Sequence, residues 1–185
     1  MRDADPDLVA AVDREVLAQS CAAAVGGSAP AVHVNIAALD AATVRDVLGS
    51  SGLEPERLVL ELTERGLGAA PASGVAALRA LGVRIAFDDF GAGVGALDVL
   101  RERPVDIIKI ARPFVDGAGR VGHDRAVLSM VVQVASMFDL QVVAQGIERE
   151  DQRVALAQLG CELGQGYLLG RPLPLAAVAT EAAVS

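Results

Sequence analysis

The sequence has no tryptophan, one tyrosine and four phenylalanines, so aromatics make up 3% of its 185 residues. A core on stacked rings is excluded. It has to be built from Ala, Val, Leu and Ile, which suits closely packed α/β layers. Cysteine is almost absent. Cys21 and Cys161 lie far apart without metal-ligand spacing and read as two small buried residues in a reducing compartment. The acidic N-terminal segment lacks the apolar stretch of a signal peptide. The longest apolar run, residues 127–140, is broken by Ser129, Gln133, Ser136 and Asp139, and is too short and too polar to span a bilayer. No membrane partner and a cytoplasmic location are therefore the expectation. Positive charge is also short: 16 Lys and Arg face 24 Asp and Glu, for a net charge of −8 and a pI of about 4.7. This excludes nucleic-acid binding through a general basic footprint. An anionic small molecule would need local help from a metal, a few basic side chains or helix N-termini.

What is present is a globular composition, 52% hydrophobic and 22% charged, long enough for one domain with a sizeable core. Apolar, β-branched runs predict strands at residues 32–36, 58–62, 83–87, 105–110, 140–144 and within 163–169. Helical patterns fall at 8–25, 40–48, 72–81, 96–102, 124–138, 149–159 and 175–183. Asp5 or Asp7 is placed to cap the first, Asp40 the second, and Gly49 lies near the second one's end. Strict alternation argues for a parallel sheet with crossover helices, either an open doubly wound sheet or part of a (β/α)8 barrel. There is no linker and no internal repeat, so residues 1–185 read as one domain, with motifs over 32–174 and a terminal helix over 175–185.

Parallel α/β folds bring the C-terminal strand ends to one side. Read in order, those ends are Asn35, Glu61, Asp88 with Asp89, Lys109, Gln145 and Gln165. Asp88 and Asp89 are adjacent carboxylates at a strand tip, a repulsive pair that a divalent cation or a basic side chain relieves. Asn, Glu and Asp together are hard oxygen donors of the kind that hold Mg²⁺, Mn²⁺ or Ca²⁺. Lys109 would orient a water, hold a phosphate oxygen or neutralise the acids. The run from Gly91 to Ala96 also fits a G-x-G-x-x-A dinucleotide loop, but Asp88 and Asp89 would face the pyrophosphate. Asp89-Phe90-Gly91 lacks the other kinase motifs. His33 alternates within its strand and reads as a packing residue, not a ligand.

Six motifs in order, Glu61-Leu62-Thr63-Glu64, Asp88-Asp89-Phe90-Gly91-Ala92-Gly93, Lys109-Ile110, Val143-Ala144-Gln145-Gly146-Ile147-Glu148, Gln165-Gly166-Tyr167 and Arg171-Pro172, resemble those of EAL domains. The resemblance covers residues 7–174. It implies a TIM-barrel-like (β/α) EAL fold and cyclic di-GMP as ligand, with Mg²⁺ or Mn²⁺ as cofactor. Active members cleave one phosphodiester bond with two divalent ions, giving pGpG. On this resemblance Asn35, Glu61 and Asp88 hold a first metal, and Asp88 and Asp89 a second. Lys109 contacts the catalytic water, Glu64 braces the loop after the acid pair, and Glu148 and Gln165 sit near metals and nucleotide.

The sequence departs from the pattern at four points. The Glu-Ala-Leu strand, with its metal-ligand glutamate and a nearby arginine, would precede residue 8. The resemblance thus implies an incomplete barrel lacking its N-terminal strand–helix unit, whose open edges call for rearrangement or for a second chain, a protein partner or another copy. Gln145 replaces a carboxylate that binds the second metal and is a candidate base. An amide brings no charge and takes no proton at neutral pH, and loss of a positioned base costs about 10²- to 10⁴-fold. Ala111 replaces the Asp of Lys-Ile-Asp. Gly93-Val94-Gly95-Ala96 lacks the hydroxyls of the usual Gly-Tyr-Ser-Ser. The expectation is a degenerate EAL domain that signals by binding nucleotide or a protein, with little or no hydrolysis. The alternatives are an active Mg²⁺- or Mn²⁺-dependent phosphodiesterase and an interaction module that binds no nucleotide.

Overall fold

The computed structural model describes residues 5–27, 29–37, 40–91, 95–119 and 122–174. The helix expected over 175–183 and the centre of the glycine loop, 92–94, lie outside these residues.

Helix α1 (Pro6–Val25) starts where Asp5 accepts the Asp7 N–H and Pro6 fills a position that needs no donor. Its buried stripe is Asp13, Leu17, Cys21 and Ala24, spaced at helical period. Arg57, in a 3₁₀ turn (Pro55–Arg57), donates to the carbonyls of Ala24, Gly27 and Ala29, tying the end of the helix and the segment after it to the start of the strand that begins at Leu58. Then come β1 (Val32–Asn35), α2 (Ala41–Ser51), β2 (Leu58–Thr63), α3 (Glu64–Ala69), α4 (Ala72–Arg79), β3 (Arg84–Phe90), α5 (Ala96–Glu102), β4 (Ile107–Ile110), α6 (Arg112–Asp116), α7 (His123–Met137), β5 (Gln141–Gln145), α8 (Glu150–Gln158) and β6 (Leu163–Gln165). Asp40 caps α2 as expected, but Gly49 lies inside that helix, and it is Gly52, at φ +76°, that ends it. Strand β6 (Leu163–Gln165) falls within the stretch 163–169 where a last short strand is expected. No helix among the described residues is long and apolar enough to cross a membrane.

The six strands are all parallel and lie in sequence order, β1-β2-β3-β4-β5-β6. Consecutive strands that neighbour each other through helical crossovers build a barrel wall, and this rules out the doubly wound order. Among the described residues β1 and β6 do not pair with each other, so the wall is an incomplete barrel. Its convex face carries Leu58, Leu60, Leu62, Ile85, Phe87, Ile108 and Ile110, which are buried in one core with helix residues such as Leu17, Val44, Leu78 and Leu128.

The concave face has a small apolar cluster of Val59, Ala86 and Ile107, flanked by Ala31 and Val143. Side chains alternate along a strand, so two residues further on the same face is used again. Those two-residue steps lead to Glu61, Asp88, Lys109, His33 and Gln145. An apolar floor thus underlies a polar layer, and one strand period separates them.

Strand β3 does not end at Phe87. The register with β4 shifts between Phe87 and Phe90, with Asp89 at φ +53°. The shift inserts an extra residue, so Phe90 returns to the convex side and meets Phe87 edge-on, ring centroids 5.2 Å apart. Gly91 follows at φ +94°, and a Cβ there would lie 2.7 Å from Phe114 Cε2 in α6. Gly91→Ala therefore meets both a left-handed backbone and a steric block, and we expect a loss of about 2–3 kcal/mol in unfolding free energy by urea titration.

Candidate active site

The concave cleft has a volume of about 530 Å³ and is lined by His33, Asn35, Glu61, Asp88, Lys109, Val143, Gln145, Leu163, Gly164 and Gln165. Every strand contributes, because the curl of the wall turns the same face of each strand inward. Lys109 is the only lysine of the chain. It is 5% exposed, and its Nζ lies 2.5 Å from Glu61 Oε2 and 3.4 Å from Asp88 Oδ1. Glu61, 4% exposed, has its other oxygen 2.7 Å from His33 Nδ1. The Glu61 carboxylate is an acceptor, so that nitrogen carries the proton of the bond. Gln145 donates Nε2–H to Asp88 Oδ1 at 2.8 Å. A continuous chain His33–Glu61–Lys109–Asp88–Gln145 therefore crosses the cleft through β1, β2, β4, β3 and β5.

The remaining sequence-derived residues divide. Asn35 and Gln165 are exposed on the cleft rim, and Gln165 is the register partner of Gln145. Asp89, the extra residue of the β3 bulge, is exposed and not among the cleft-lining side chains, so only one of the adjacent acids faces inward. Glu148 does not line the cleft either. Arg112 packs over Gly146 and holds the Glu148 carboxylate at 2.8 Å. Glu64 opens α3 and accepts the Gly95 N–H at 2.9 Å, tying the end of β2 to the start of α5 across the glycine loop; its Oε2 is buried with no hydrogen-bond partner among the described residues. Ala111, directly after β4, is a buried methyl. His33 is a cleft residue and not the packing residue that alternation within its strand suggests. Its position two residues past Ala31, in the same layer as Glu61, is the signal that places it there.

A family model described as EAL domain matches residues 3–172. The chain belongs to the EAL domain family. The cyclic di-GMP phosphodiesterase RocR of Pseudomonas aeruginosa is 43% identical over 125 residues, 66% of this chain and 32% of RocR. The bifunctional diguanylate cyclase/cyclic di-GMP phosphodiesterase MucR of the same organism is 40% identical over 152 residues, 77% of this chain and 22% of MucR. The chain thus spans a third or less of these two relatives. Among solved structures, the MucR phosphodiesterase in complex with cyclic di-GMP superposes with a TM-score of 0.80 at 33% identity, covering 93% of this chain and 75% of that one. The manganese/cyclic di-GMP complex of Klebsiella pneumoniae BlrP1 gives 0.79 at 27% identity, covering 91% and 46%.

In this EAL domain the cleft donors are hard oxygens, the right chemistry for Mg²⁺ or Mn²⁺. Their arrangement does not fit such an ion. Both Glu61 oxygens and Asp88 Oδ1 are already taken by hydrogen-bond donors, and the Lys109 ammonium sits between the two acids. Among the described residues no three His, Cys, Asp or Glu side chains converge to hold a metal. Two carboxylates and one ammonium give the layer a charge of −1.

Burial pushes the Glu61 carboxyl up, but the hydrogen bonds from His33 and Lys109 and the Lys109 charge outweigh it, and the group sits below the ordinary glutamate range. A depressed folded value means that ionised Glu61 stabilises the fold fully above the unfolded value and progressively less below it. Urea unfolding as a function of pH should show this. The stability gap between wild type and Glu61→Gln is expected to hold above pH 4.5 and to shrink as pH falls below it.

Proposed function

We propose that this EAL domain, a single EAL-like unit over residues 1–185 acting in the cytoplasm, binds cyclic di-GMP and signals by binding, with little or no hydrolysis. The observation that carries this reading is the side chain at 145. Gln145 stands where the family pattern has a carboxylate, and its amide donates to Asp88. A group spent as a donor to an acid neither takes a proton from water nor adds charge to a cation site. Ala111 stands where the family pattern has a second carboxylate.

Binding has separate support. Besides His33, the cleft lining carries the amides of Asn35, Gln145 and Gln165 on three strands. Each amide offers donors and acceptors together, which suits phosphate oxygens and the edges of guanine. Glu61 and Lys109 are nearly sealed beneath them. In this reading, of the family's metal positions, Glu61 and Asp88 keep the shape of the cleft, Asn35 offers its amide to the ligand, and Asp89 lies at the strand's bulge outside the cleft. Lys109 neutralises the acids, Glu64 braces the loop, and Glu148 is held away by Arg112. The RocR and MucR likenesses make cyclic di-GMP the first ligand to test.

Titration calorimetry of the chain with cyclic di-GMP is expected to give saturable binding that is weakened at least tenfold in an Asn35→Ala/Gln165→Ala double variant. Incubation with cyclic di-GMP and Mn²⁺, followed by chromatography, is expected to give no pGpG above a Glu61→Ala control. Turnover abolished by Asp88→Ala would make the chain a phosphodiesterase instead, and absence of binding would leave a protein-interaction module.

A further inference from the structure

The same cleft carries a second inference, which does not depend on the nucleotide being its ligand. We infer that Lys109 is the resident cation of this site. A divalent ion and the Lys109 ammonium compete for one position between Glu61 and Asp88, and the neutral Gln145 tips that competition towards lysine.

The geometry forces a choice. An Mg²⁺ or Mn²⁺ ion bonds carboxylate oxygens at about 2.0–2.2 Å. An ion shared by Glu61 and Asp88 would have to sit against both carboxylates, where Lys109 Nζ now lies 2.5 Å from one and 3.4 Å from the other. Two cations cannot share that space without strong repulsion, so entry of the ion expels the ammonium. Two of the oxygens around that position have further partners: His33 holds Glu61 Oε1, and Gln145 holds Asp88 Oδ1. Charge decides the balance. One lysine leaves the pair of acids at −1. A carboxylate at position 145 would take the layer to −2 and would replace a donor to Asp88 by a like charge, which favours a doubly charged ion over an ammonium. Position 145 and Lys109 therefore act as a matched pair that makes the metal dispensable.

The test uses the full 185-residue chain without nucleotide. Mn²⁺ binding is followed by the loss of the free-ion signal in electron paramagnetic resonance. Lys109→Met and Gln145→Glu are each expected to bind Mn²⁺ at least tenfold more tightly than wild type. Because Lys109 is the only lysine, its reactivity can be read directly by acylation and peptide mass spectrometry, apart from the N-terminal amine. In wild type Lys109 is expected to be protected, and saturating Mn²⁺ is expected to speed its acylation. Unchanged or weaker Mn²⁺ binding in both variants overturns the inference. So does wild-type protein that saturates with Mn²⁺ while Lys109 stays protected. Should Lys109→Met not fold without metal, Gln145→Glu and the labelling of wild type still decide the matter.

Discussion

The ion pair of Lys109 with Glu61, extended to Asp88, is the interaction on which the rest of the structure rests. Three ionised groups on three adjacent strands lie in a layer where Glu61 and Lys109 are almost sealed from water. Burying charges costs several kcal/mol per ion, and removing one partner of such a set typically costs about 3–5 kcal/mol, because the other is left uncompensated. The set is therefore weak as a source of stability but strict as a constraint. A one-residue slip of β2 or β4 would turn Glu61 or Lys109 to the convex face and strand its partner beside the apolar floor. The register of β2, β3 and β4 and the charge balance of the cleft are one specification.

That constraint also explains the bulge in β3. A regular strand after Phe87 would place Asp88 inward, Asp89 outward among the helix-facing core residues, and Phe90 inward with the acids. The extra residue at Asp89 leaves Asp88 facing the cleft, releases Asp89 to solvent and returns Phe90 to the hydrophobic side against Phe87. Asp tolerates the left-handed backbone better than most residues. The adjacent acids are thus one inward-facing carboxylate and one residue that allows the strand to turn.

Much of this architecture is legible in the order of the residues. Long apolar, β-branched runs separated by helical periods give six parallel strands, and the polar residues at their ends fall on one side by the geometry of the fold. Glu61, Asp88, Lys109, Gln145, Asn35 and Gln165 follow from that alone. Other features depend on pairing that no local pattern records. The β3 bulge exists only relative to β4. The short helices α3 and α6 begin at strand ends, under Thr63 and Pro113, and are too brief for a period to show. His33 resembles a packing residue because its neighbours are apolar, although the step from Ala31 places it in the polar layer. The pairing of Glu148 with Arg112, which faces it away from the cleft, is likewise a tertiary contact between α6 and the loop after β5.

In the proposed reading, family membership and chemistry separate at this site. The likeness to RocR, MucR and BlrP1 is one of sequence and overall fold. Catalysis with divalent ions is carried by the sum of charge at the top of the wall, and single side chains set that sum. Replacing a carboxylate by the amide of Gln145 alters hardly any volume and leaves the strand intact, so folding does not select against it. In the proposed reading it turns an acceptor opposite Asp88 into a donor and lets one lysine balance acids that would otherwise call for a doubly charged ion. In that reading a substitution silent to the barrel is decisive for the cleft, because the barrel depends on shape and register whereas the cleft depends on which groups give protons and which accept them.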